Sequence, residues 1–150
     1  SLYVHPDRPL ISGNATSTFL HELMHVATEE PPAPGDDWIV EGMAEYYSLV
    51  VLLRSGAISG RRFERAFGML RGWAEEDDGR LTDPSTGADT ARAVLLFRDL
   101  DNELAAAGSS LDEVAGDLLG GRVSRQRLTS LVEGILGGPS AVLDEALAGG

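Results

Sequence analysis

Two of the three histidines in this 150-residue chain stand four residues apart, in the stretch TSTFLHELMHVA from Thr16 to Ala27. On a helix that spacing puts His21 and His25 on one face, a turn apart, where both imidazoles can reach a single tetrahedral metal ion. Glu22 lies about 100° round the helix from His21, beside such an ion rather than on it. A carboxylate so placed suits a general base acting on water at zinc. The chain has no cysteine, which excludes disulfides and thiolate metal sites, so any metal must be held by His, Asp or Glu.

A carboxylate to complete the set stands in WIVEGMAEYY, Trp38 to Tyr47, where Glu41 and Glu45 share one helical face amid Ile39, Val40, Met43 and Ala44. Carboxylates flanked by so many apolar residues are costly to bury unless they are paired or metal-bound. Glu41 can complete a two-His, one-Glu site. Glu45, one turn on, is placed to hydrogen-bond the far nitrogen of His21 or His25 and fix its tautomer. The set leaves a fourth position open for water, as in catalytic zinc sites, and one Zn2+ per chain is expected. The plain alternative is chance, since H-E-x-x-H arises somewhere in roughly one chain in two hundred of this composition.

These residues need two helices packed face to face. Ser17 or Thr16 can cap the first, in which Phe19, Leu20, Leu23, Met24 and Ala27 recur at the spacing of a buried face. PPAPGDD, Pro31 to Asp37, cannot continue a helix, and its aspartates are good caps for the second, Trp38 to Arg54, which stops at Ser55-Gly56. Further helices are expected at Arg61 to Glu76, at Thr90 to Gly108 after a polar loop, at Ser109 to Leu119 with a capping box in Ser110 and Glu113, at Ser124 to Leu136, and at Pro139 to Leu147. Leu2 to His5, bounded by Pro6 and Pro9, is the one segment that reads as a strand. The fold expected is mainly α, a single domain over residues 1–150 with at most a short β segment at its N-terminus.

The chain carries 12 basic and 24 acidic residues, a net charge of −12, and every basic residue is arginine. Such a surface repels phosphate backbones and anionic lipid, so nucleic acid is not an expected partner. No apolar run reaches the roughly 18 to 20 residues needed to span a bilayer, so no membrane insertion is expected. The abrupt start at SLYVHPD suggests a piece excised from a longer polypeptide, whose remainder is then an expected partner. The compartment is not legible.

HELMH followed by WIVEGMAEYY resembles the gluzincin metallopeptidases, in the branch of the alanyl and glycyl aminopeptidases, where an H-E-x-x-H helix is followed by W-x-x-E-G-x-A/T-x-Y. A looser similarity covers ARAVLLFRDLDNELAAAGSSLDEVAGDL. The resemblance implies a thermolysin-like helical catalytic domain, with His21, His25 and Glu41 as zinc ligands and Glu22 as general base. The function it implies is zinc-dependent hydrolysis of a peptide or protein substrate through a metal-bound water activated by Glu22. Three features depart from the pattern. Thr90 stands where the family has its oxyanion-stabilising tyrosine, and Arg92 where it has lysine. SGNAT, Ser12 to Thr16, does not reproduce the segment that recognises a free amino terminus, and only 15 residues separate His25 from Glu41. Tyr3, Tyr46 and Tyr47 are the possible substitute donors, and His5 could line a cleft. The rival reading is a zinc-bearing peptide-binding module of weak or absent catalysis, and a poorer one is a helical interaction domain with a chance motif.

Overall fold

The computed structural model describes residues 15, 17–28, 30–75, 81 and 87–148. Among them are seven helices and no strand: α1 Thr18–Ala27, α2 Asp37–Arg54, α3 Gly60–Ala74, α4 Gly87–Ala106, α5 Leu111–Leu119, α6 Arg125–Leu136 and α7 Ala141–Leu147. The expected strand Leu2 to His5 lies outside the described residues. The mainly helical expectation holds.

Serine hydroxyls start four of these helices. Ser17, Ser59, Ser124 and Ser140 each accept a hydrogen bond from the backbone N–H three residues on, at Leu20, Arg62, Arg127 and Leu143, satisfying a donor the helix itself cannot pair. Of the two caps open for α1, Ser17 is the one used. Gly56 and Gly137, at φ 75° and 72°, end α2 and α6 in the left-handed conformation that glycine adopts without penalty.

Two other caps differ from expectation. Ser110 precedes α5 but makes no side-chain cap bond, and Ser109 rather than Ser110 donates to Glu113, at 2.9 Å. The first N–H of α5 is taken instead by Asp101 of α4, whose Oδ1 accepts from Leu111 at 2.8 Å. Asp36 precedes α2 but turns its carboxylate to α6, where Oδ2 accepts the Arg125 N–H at 2.8 Å. The connector between α1 and α2 is thereby tied to the start of α6, and the Ala33 N–H, donating to the Val123 carbonyl at 2.8 Å, adds a second tie.

The core is one cluster built around α2 and α4, with Trp38, Ile39, Met43 and Leu49 meeting Val94, Phe97 and Leu100. The α3 helix packs on α4, α1 on α2, and α7 on α4, while α5 and α6 pair. Arg98 joins α4 to α3, both by an ion pair of 2.8 Å with Glu64 and by lying 4.3 Å above the Phe67 ring.

Close approach of α2 to α4 depends on Gly42, the residue after the candidate ligand Glu41. A Cβ there would fall 2.5 Å from Ala93 Cβ, 3.0 Å from Phe97 Cε2 and 3.2 Å from the Ala93 carbonyl carbon. Alanine gains about 1 kcal/mol in helix propensity over glycine. Overpacking costs about 1 to 3 kcal/mol, and a clash that reaches backbone belongs at the upper end. Gly42→Ala is therefore expected to destabilise the domain by about 1 to 2 kcal/mol and lower its midpoint by a few degrees in thermal unfolding. A variant as stable as the native chain would show that α2 and α4 can separate freely.

Candidate metal centre

The α1 helix lies antiparallel on α2, so positions 17, 21 and 25 of one meet positions 48, 45 and 41 of the other. At the first rung, Ser48 Oγ accepts the Ser17 N–H at 3.3 Å and donates to the Ser17 carbonyl at 3.4 Å. At the second, His21 Nδ1 stands 3.4 Å from Glu45 Oε2. At the third, His25 Nε2 stands 3.3 Å from Glu41 Oε1, while Glu41 turns its other oxygen to His21 Nε2 at 3.4 Å. The two Nε2 atoms face each other at 3.0 Å, with the rings tilted by 52°.

His21, His25 and Glu41 are thus brought together, with one donor atom from each inside a 4.8 Å cluster that could hold a metal ion. A tetrahedral ion with metal–nitrogen bonds of about 2.0 to 2.1 Å has donor atoms about 3.3 Å apart along each edge. The two Nε2 atoms, 3.0 Å apart, stand near such an edge, while the 3.3 and 3.4 Å contacts run to different oxygens of Glu41, so with one atom from each residue the donors lie within 4.8 Å of one another. All three side chains are only partly buried, so an ion and water can reach them without unfolding the helices.

Glu45 takes the supporting position. Its carboxylate beside Nδ1 of His21 favours the tautomer with the proton on that nitrogen, which leaves the Nε2 lone pair aimed at the cluster. His21 has its pKa raised above the ordinary imidazole value, first by this contact with Glu45, against the opposing effect of burial, and then by the charges of Glu41, Glu45 and Glu22. The same carboxylates that hold a proton on His21 attract a cation. Glu22 is exposed on α1 and stands outside the donor cluster, although its charge is felt at His21.

The sequence places α1 too deep. Phe19 and Leu23 are 39% and 43% exposed, Val26 reaches 73%, and no residue between Thr18 and Ala27 is buried. Leu20 alone of the expected apolar face packs against the core, because the face α1 presents to α2 is the polar one that carries the histidines.

The tyrosines adjacent to Glu45 are committed elsewhere. Tyr46 donates to Asp101 at 2.7 Å and Tyr47 to Asp112 at 3.1 Å. Burial comes first among the causes that push both phenols well above their ordinary pKa, and the two carboxylates add to it. Both hydroxyls therefore stay protonated and joined to those partners. Thr90 sits half-buried in the first turn of α4, and Arg92 pairs with Asp89 and donates to the Ala74 carbonyl, tying α4 to the end of α3. Tyr3 and His5 lie outside the described residues.

Ser48 belongs to this region and has no counterpart among the sequence expectations. Its signal was a hydroxyl seven residues after Glu41, on the same face, in the apolar run YYSLVVLL. Compared with family models, with curated proteins and with solved structures, the chain matches none.

Proposed function

We propose that the chain is a zinc-dependent metallopeptidase of the gluzincin type, with a thermolysin-like helical domain, that hydrolyses peptide bonds of a peptide or protein substrate. The observation that carries this reading is the meeting of His21 Nε2, His25 Nε2 and a Glu41 carboxylate oxygen within 4.8 Å of one another, with Glu45 behind His21. A bound zinc would supply a Lewis acid that activates water and polarises the scissile carbonyl. His21, His25 and Glu41 would hold it, and Glu45 would keep His21 in its ligating tautomer. Glu22, free of the donor cluster and one residue from His21, takes the proton of the attacking water and passes it to the leaving amine.

Loss of one oxyanion donor commonly costs about 100- to 1000-fold in rate. With threonine at position 90 and with Tyr46 and Tyr47 bound to carboxylates, slow turnover is expected. Those two engaged hydroxyls are also the observation that favours the second reading, a zinc-bearing peptide-binding module. The test is incubation of the zinc-loaded chain with a peptide mixture and mass spectrometry of the products. Slow cleavage that a chelator stops and zinc restores is the expected result. No cleavage by a chain with zinc fully bound would leave the binding module as the better account.

A further inference from the structure

Ser48 is 1% exposed, yet its hydroxyl does not cap a helix or serve its own. It crosses to the Ser17 peptide, accepting from the N–H and donating to the carbonyl. That carbonyl also accepts the His21 N–H at 3.0 Å, so Ser48 and His21 share one acceptor. Ser17 is itself 3% exposed and caps α1 through Leu20. The rest of α1 has no buried side chain, and ten residues make a helix too short to be stable alone in water. Beyond the packing of Leu20 on the core, what sets how far α1 slides and turns on α2 is then the Ser17–Ser48 rung and the contacts of the histidines with Glu41 and Glu45.

We propose that Ser48 is a positioning residue for the metal centre: it fixes α1 on α2 so that the two histidines of one helix meet the carboxylate of the other. The inference rests on the zinc reading above. His21 and His25 ride on the same helix, so their mutual spacing does not depend on docking. Only their distance to Glu41 does. Removing the hydroxyl also leaves the buried Ser17 N–H without its partner, a loss that weakens docking further.

The test is zinc affinity of the whole chain, read by competition with a chromophoric chelator, with helix content checked by circular dichroism. Ser48→Ala is expected to weaken zinc binding about tenfold, the low end for residues that orient metal ligands. The same substitution added to Glu41→Ala is expected to cost clearly less than tenfold, because docking then brings in only Glu45 and no ligand. At matched volume, Ser48→Thr is expected to bind zinc about tenfold tighter than Ser48→Val, a comparison that stands even where alanine folds poorly. Native affinity in Ser48→Ala, an undiminished loss in the Glu41→Ala background, or equal affinities for the threonine and valine variants would each overturn the proposal. A native chain that takes up no zinc would overturn the metallopeptidase reading, and this inference with it, before any variant is compared.

Discussion

Glu22→Gln is expected to keep its zinc and to lose hydrolysis by roughly 100- to 10,000-fold, the range that a positioned acid–base group contributes. The side chain is close enough for its charge to act on His21 but is not among the donor atoms of the cluster. Glutamine preserves its shape and removes its ability to take a proton, so metal content and activity should separate. Zinc analysis beside a cleavage assay reads both. Loss of zinc in this variant would make Glu22 a ligand, and full activity would put the base elsewhere.

Glu41→Ala is expected to weaken zinc binding by more than about 100-fold, while Glu45→Ala falls within the 10- to 100-fold typical of groups that orient a ligand. The distinction follows from what each carboxylate touches. Glu41 faces both Nε2 atoms, at 3.4 and 3.3 Å, whereas Glu45 meets only the far nitrogen of His21. Competition titration of the two variants checks the order. A larger loss at Glu45 would exchange their roles.

Much of the centre was legible because its determinants are local. A four-residue spacing on a helix dictates that His21 and His25 share a face, and the same rule pairs Glu41 with Glu45. Which imidazole Glu45 would reach was not legible, because it depends on the direction and register with which α1 crosses α2. Helix starts marked by serine could be read to within a residue or two, as at Ser59 and Ser124. Asp101 capping α5 and Asp36 capping α6 could not, since each acts on a segment 10 or 89 residues away. The apolar spacing in α1 suggested burial, but periodicity says only that a face exists and not that something covers it. Phe19 and Leu23, both expected on that face, are exposed. That the hydroxyls of Tyr46 and Tyr47 are engaged was not legible either, for their partners Asp101 and Asp112 come from α4 and α5.

The most direct test is a crystal structure of the zinc-soaked chain with anomalous data at the zinc edge. One peak per chain is predicted, about 2.0 to 2.2 Å from His21 Nε2, His25 Nε2 and a Glu41 oxygen, with water in the fourth position. A zinc-soaked crystal with no peak between those three side chains, and with the histidines simply hydrogen-bonded to each other and to Glu41, would contradict it.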